Sequence, residues 1–335
     1  MESPRIGRRN FLRYAVATSV SAGLANLAAL GNCLAQSVDP AAFGRSTTAR
    51  TRMDEGQPSA TAQGAAMQRA VHQILDHPRI LDDPLALRII GAESEAVLRS
   101  NLERYQTRRS LGVRAFVVMR SRYAEDALSQ AVARGIRQYV ILGAGLDTFA
   151  YRNPYSERLK VLEVDHPSTQ VWKRRRLQEA GIEIPGSLTF APVNFERQTL
   201  ADGLERAGFR TDQPAFFSWL GVVVYLTKTA VAQTLQFVAS SIAPESEIVF
   251  DFLLPSSSLS EQQKRSREAS AKRVAALGEP WLTFLEPPSL AGELERMGFA
   301  NIEVFGPEEA NQRYFEDRTD DLYVRGSNHL MKARV

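Results

Sequence analysis

The sequence predicts an α/β fold, a mainly parallel sheet with helices on both faces and a helical extension in front of it. Three observations carry this. From residue 135 onward, short runs rich in β-branched and aromatic residues alternate with stretches of helical spacing, the rhythm of a parallel sheet wound through crossover helices. The stretch Gln138–Arg152, QYVILGAGLDTFAYR, is a five-residue apolar strand cut by Gly143-Ala144-Gly145. Two glycines one residue apart let the backbone turn sharply and let a ligand come close, and the end of a parallel strand is where such a ligand binds. Third, Leu159–Asp165, LKVLEVD, ends in acids, where a second strand places a carboxylate to grip a ribose diol about 20 residues on.

The front of the chain reads as a twin-arginine-type signal segment, residues 1–35. Gly7-Arg8-Arg9-Asn10-Phe11-Leu12-Arg13 supplies the arginine pair, Tyr14–Leu34 is weakly apolar, and Cys33-Leu34-Ala35 offers cleavage after Ala35. Export to the periplasm or cell surface is the expectation, with an uncleaved anchor or a later start at Met53 or Met67 as the other readings. Gly and Asn interrupt the stretch too often for a membrane span, so no stable span is expected in the mature chain. Residues 36–57 are polar and rich in Ser, Thr, Gly and Pro, a flexible lead-in.

Gly64–Leu75 has helical spacing, with Ala66, Ala70 and Ile74 on one stripe. Asp83-Pro84 starts a further helix, and Met119–Arg134 is a long helix stopped by Gly135. Strands are expected at 138–142, 159–164, 188–194, 215–220 and 247–253, with helices at about 168–180, 197–207 and 228–242 between them. Ser256–Leu277 is charged, a helical excursion over the sheet edge. Leu290–Met297 and Ile302–Phe305 make one more helix–strand step, and Leu322–Arg325 and His329–Lys332 are candidate closing strands.

Composition narrows the function. The chain of 335 residues is 44% hydrophobic, enough for a full core, and its net charge of +3 resides in residues 1–35. The remainder holds 37 basic and 37 acidic residues, so no basic excess points to nucleic acid. Lys173-Arg174-Arg175-Arg176 reads as a solvated helix face. Cys33 is the only cysteine, and His72, His77, His166 and His329 lack metal-ligand spacing, so no metal is expected. A G-x-G-x-x-G dinucleotide fingerprint would need glycine where Thr148 stands, and no Gly-Lys-Ser/Thr phosphate loop occurs.

Several motifs in order resemble the leucine carboxyl methyltransferase family of S-adenosyl-L-methionine-dependent methyltransferases, and more closely its bacterial branch. They are PSATAQGAAMQRA (58–70), DDPLA (82–86), RSRYAEDAL (120–128), LGAGLDT-x-x-x-R (142–152), LEVDHP (162–167), SWLGVVVYL (218–226), VFDF (249–252) and QRYFEDR (312–318). The resemblance implies a class I methyltransferase, Rossmann-like sheet of seven strands, the last antiparallel, as one domain over 58–335: a helical cap at 58–134 and a core at 135–335. It implies that Gly143, Ala144 and Gly145 line the methionine end of S-adenosyl-L-methionine and that Arg120 pairs with its carboxylate. Asp165, with Glu163 as rival, would hold the ribose. Asn194-Phe195 would flank the adenine, where the family usually has Asp-Leu. Leu220 stands where many relatives carry Glu.

Methyl transfer is an in-line displacement that needs positioning and a dry site. A carboxylate acceptor is already ionised at neutral pH; a hydroxyl acceptor needs a base, for which His166, Asp251 and Tyr225 are the candidates. The expected activity is O-methylation of a carboxylate or hydroxyl on a small-molecule or lipid-like acceptor. An exported binding protein that keeps the fold, and an NAD-dependent oxidoreductase, remain the alternatives.

Overall fold

The computed structural model describes residues 59–194 and 198–335. The signal segment, the lead-in and Phe195 fall outside the described residues. The described residues form one compact unit.

Seven strands build one sheet: β1 (Gln138–Leu142), β2 (Lys160–Asp165), β3 (Leu188–Pro192), β4 (Ala215–Trp219), β5 (Glu247–Leu253), β6 (Ala300–Phe305) and β7 (Asn328–Arg334), in the order β3-β2-β1-β4-β5-β7-β6. β1 to β5 pair in parallel, and β7 runs antiparallel between β5 and β6. This is the expected seven-stranded class I methyltransferase sheet.

Strand side chains alternate between two faces. Tyr139, Ile141, Val161 and Phe216 enter the core beneath α4 (Arg108–Ala133). Val140, Leu142, Leu162 and Phe217 enter the opposite core, with residues of α7 (Lys228–Ser241) and α9 (Pro287–Met297). Covering both faces explains why β1 is buried along its whole length. A third apolar cluster joins α1 (Ala60–Leu75), α2 (Ala86–Ile90) and α3 (Ala92–Arg99) to Leu146 beyond β1 and to Trp172 of α5 (Pro167–Glu179). The helical cap is thereby fixed to the end of the sheet where the Gly-x-Gly turn lies.

Four boundaries differ from expectation. α4 begins at Arg108 rather than Met119 because Thr107 caps it, accepting from the Ser110 amide at 3.3 Å; Gly112 and three arginines blur the apolar period there. α1 begins at Ala60 because Ser59 caps it, accepting from the Ala62 amide. α6 (Leu200–Arg206) starts after a Thr199–Asp202 capping box. Leu322–Arg325 is not a strand: the Asn311 side chain donates to the Val324 carbonyl and accepts from its amide, at 3.0 and 2.7 Å, in place of ladder bonds. The basic run is also only partly solvated. Arg174 and Arg175 are exposed, but Lys173 is buried, drawn inward by the carboxylate of Glu163 at 2.7 Å.

Candidate functional site

β1 ends in a backbone that only glycine accommodates readily. Gly143 and Gly145 have φ of +68° and +46°, in the left-handed region. A Cβ on Gly143 would lie 2.3 Å from Cγ2 of Val222, and one on Gly145 would lie 3.0 Å from Cβ of Ala62. The turn therefore runs between the loop after β4 and the first turn of α1. The Gly143 and Ala144 amides donate to the Val164 carbonyl at 2.8 and 3.1 Å, which ties the turn to β2.

Asp165 closes the same turn from the other strand. Its carboxylate accepts from the Gly145 amide at 2.6 Å and from the His166 amide at 2.7 Å. Burial pushes its pKa up, against the pull of those two amides. Each carboxylate oxygen keeps acceptor capacity beyond these single bonds. Glu163, two residues earlier, is on the same face but fully buried and engaged with Lys173. Burial raises its pKa to about 7 although Lys173 opposes this. The strand end thus belongs to Asp165, and the rival Glu163 lies under α5.

Arg120, from the middle of α4, points to the ends of β4 and β5. Its guanidinium contacts Asp251 at 3.2 Å and lies over the Phe116 ring at 5.6 Å. Gly221, with φ of +73°, lies so close that a Cβ there would be 2.6 Å from Arg120 Nη2. The Gly221 amide donates to the other oxygen of Asp251. Asp251 is thus held between the Arg120 guanidinium and the Gly221 amide.

Tyr225 ends a short 3-10 turn, Val223–Tyr225. Its hydroxyl lies beside Thr61 and Trp281; burial raises its pKa, Glu279 adds to the rise, and Arg120 opposes it. The phenol is a proton donor at neutral pH rather than a base. Glu279 accepts from the first-turn amides of α1, Ala60 at 2.9 Å and Thr61 at 3.1 Å, a placement that the helix dipole favours. His166 caps α5, with Nδ1 accepting from the Ser168 amide at 3.3 Å and 2.7 Å from its hydroxyl. Asn194 lies just beyond β3, at the same edge of the sheet as Asp165.

Sequence reasoning missed Asp83. Fully buried, it accepts from Thr148 Oγ1 at 2.7 Å and from Arg69 Nε at 3.3 Å, with Arg152 Nε at 3.6 Å. Arg69 also donates to the Leu146 carbonyl at 2.6 Å, and Arg152 pairs with Glu125. The Thr and Arg of LGAGLDT-x-x-x-R therefore serve to clamp the turn to DDPLA of the cap. Asp147 accepts from the Phe149 amide at 2.8 Å, just before the 3-10 turn Phe149–Tyr151. The visible signal was the company of DDPLA and LGAGLDT in one chain, but not their contact.

Among the described residues no cluster of three or more His, Cys, Asp or Glu could hold a metal, and no helix is long and apolar enough to cross a membrane. A cation at Arg120, a carboxylate at Asp165 and a glycine turn between them match a ligand with a carboxylate at one end and a diol further on.

A family model described as leucine carboxyl methyltransferase matches residues 62–239. YktD of Bacillus subtilis, whose name assigns it to the S-adenosyl-L-methionine-dependent methyltransferases, is 32% identical over 302 residues, covering 84% of this chain and 99% of that protein. Rv3399 of Mycobacterium tuberculosis, named for the same class, is 30% identical over 223 residues, 63% of each chain. A crystal structure described as a methyltransferase from Thermobifida fusca shares the fold, with a TM-score of 0.51 at 17% identity over 84% of this chain and 96% of that one.

Proposed function

From the premise that this chain belongs to the leucine carboxyl methyltransferase family and is an S-adenosyl-L-methionine-dependent methyltransferase, we propose that it methylates an oxygen, foremost a carboxylate, of a small-molecule or lipid-like acceptor. Family membership sets aside the nicotinamide-dependent alternative. One observation carries the choice of acceptor. Each candidate base is already occupied or unsuited: Asp251 by Arg120, His166 by its cap on Ser168, and Tyr225 by a raised pKa. A carboxylate needs no base, whereas a hydroxyl does.

S-adenosyl-L-methionine, when bound, supplies a methyl group on a sulfonium, which makes the carbon electrophilic. Arg120 is the residue to pair with its carboxylate, and Asp165 with its ribose hydroxyls. Gly143, Ala144 and Gly145 would admit its methionine end, and Asn194 would flank its adenine. The first turn of α1 and the Glu279–Trp281 segment meet beside Tyr225. Tyr225, protonated, can donate to an acceptor oxygen and orient it.

The test is calorimetric titration of the purified chain with S-adenosyl-L-methionine, beside Asp165→Ala and Arg120→Lys. Micromolar binding is expected, weakened at least tenfold in each variant. Labelled methyl should then pass to a carboxylate-bearing fraction of cell extract. Undiminished binding in both variants would overturn the residue assignments, and transfer to hydroxyl-bearing compounds alone would overturn the carboxylate reading.

A further inference from the structure

Most buried or half-buried arginines of this protein sit on carboxylates, as Arg69, Arg114, Arg120 and Arg152 do. One face departs from that rule. It is built by α8 (Glu261–Ala276), the first turn of α4 and the loop before β7. Arg109 Nη2 and Arg273 Nη2 both donate to the Ser270 hydroxyl, at 3.2 and 3.3 Å. Arg267 lies over the Phe284 ring at 5.0 Å and donates to the Leu254 carbonyl and, at 2.8 Å, to Ser256 Oγ. Arg325 stacks on Tyr323 at 3.5 Å and donates to the Arg108 and Asp321 carbonyls, both at 3.1 Å, while its buried Nε has no partner.

Among the described residues, none of Arg108, Arg109, Arg267, Arg273 and Arg325 forms an ion pair with a side chain. Burial lowers the pKa of Arg267 and of Arg273, with no carboxylate opposing it. Arg267, Arg273 and Arg325 are half-buried beside the exposed Arg108 and Arg109, and cations gathered in this way without a counter-charge favour an anion among them. α8 buries no residue fully, so hydrophobic packing does not account for its position.

The backbone that follows α8 ties this face to the candidate site. The Glu279 amide donates to the Val274 carbonyl at the end of α8, at 3.1 Å. The Leu282 amide then donates to the Val224 carbonyl at 2.7 Å, beside Tyr225. Trp281, between them, is the neighbour of the Tyr225 hydroxyl.

Resting on the methyltransferase reading, we propose that these five arginines bind an anionic group of the methyl acceptor, remote from the oxygen that is methylated, and that the acceptor is therefore an acidic small molecule. Planar guanidinium groups suit carboxylate and phosphate alike. Methylation leaves this second anionic group untouched, so the product remains an anion.

The experiment incubates the full chain with S-adenosyl-L-methionine carrying a labelled methyl group and the small-molecule fraction of a cell extract, then resolves the products by anion exchange at pH 8. Label retained on the resin is expected. Arg109→Gln/Arg273→Gln should raise KM for that fraction at least fivefold with kcat little changed, and should leave S-adenosyl-L-methionine affinity within twofold. Citrate and inorganic phosphate should each inhibit the parent more than the variant, the stronger identifying which anion the face prefers. Label confined to the neutral flow-through, or a variant with unchanged KM, would overturn the proposal while leaving the methyltransferase reading intact. Label in no fraction, with cofactor binding preserved, would overturn both. Tighter binding to phosphatidylglycerol vesicles or to an oligonucleotide than to either small anion would overturn the proposal in favour of a macromolecular partner.

Discussion

At the scale of single residues, Glu163 is a carboxyl group that burial carries into the neutral pH range. It is fully buried beside Lys173, and burial raises its pKa to about 7 from an ordinary 4.5. The folded chain therefore holds this proton at a pH where the unfolded chain has released it. The stabilising contribution is complete below about 4.5 and is lost as pH rises through about 7, an effect on the order of 3 kcal/mol. Replacing only one partner would leave an uncompensated group, so the informative change is the double substitution Glu163→Gln/Lys173→Met, since exchanging a buried pair as a unit is often near neutral. Urea unfolding at pH 5 and pH 7.5 should show parent stability falling between the two more than that of the double variant. Equal slopes would remove Glu163 as the source. Gly143 is a residue of the other kind, fixed by space and dihedral rather than charge. Gly143→Ala must place a methyl against Val222 in a left-handed backbone, at a cost of about 1–3 kcal/mol. A drop of several degrees in Tm with weakened cofactor binding is the expected reading, and an unchanged Tm would show that Val222 can move aside.

At the scale of elements, what the sequence revealed depended on how local the cause was. β1, β5 and α7 were legible because a buried strand or amphipathic helix writes its own pattern, and the Gly-x-Gly break marked the turn after β1 directly. The early start of α4 was not legible, since its cap at Thr107 is one hydroxyl and its first turns carry arginines that anchor elsewhere. Leu322–Arg325 had the apolar look of a strand, but its hydrogen bonds go to the Asn311 side chain. The buried fate of Lys173 was hidden because its partner lies on another element. Glu279 illustrates the limit: it caps α1 across 219 residues of chain, which no periodicity reports. Glu279→Gln removes the charge from those two first-turn amides, worth about 1–2 kcal/mol in a buried position. Hydrogen exchange at Ala60–Gln63 should quicken while exchange in β1 and β4 does not. If the two regions change together, α1 is not held separately by this contact.

At the scale of the whole molecule, the sheet and the cap meet at Asp83. It is buried in the cap, yet it accepts from Thr148 of the core turn and faces Arg152, so it joins the segment before α2 to the segment after β1. This gives the Thr and Arg of LGAGLDT-x-x-x-R a structural task, tying the turn after β1 to the cap. Asp83→Ala would leave Arg69 beside an empty space and strip Arg152 of one of its two acids, and removing one partner from a buried ionic network costs about 3–5 kcal/mol. Because the network positions Leu146 and the turn, the loss should appear twice: as a lowered Tm, and as weakened binding of S-adenosyl-L-methionine by a residue that does not contact it. The two effects are linked. A ligand at one hundred times its dissociation constant stabilises the folded chain by about 2.7 kcal/mol, so saturating cofactor should restore much of the variant's Tm, and more of it than in Asp165→Ala at the same concentration. If cofactor binding in Asp83→Ala matched that of the parent while stability fell, the cap would be a stabilising addition to the sheet and not part of the apparatus that shapes the site.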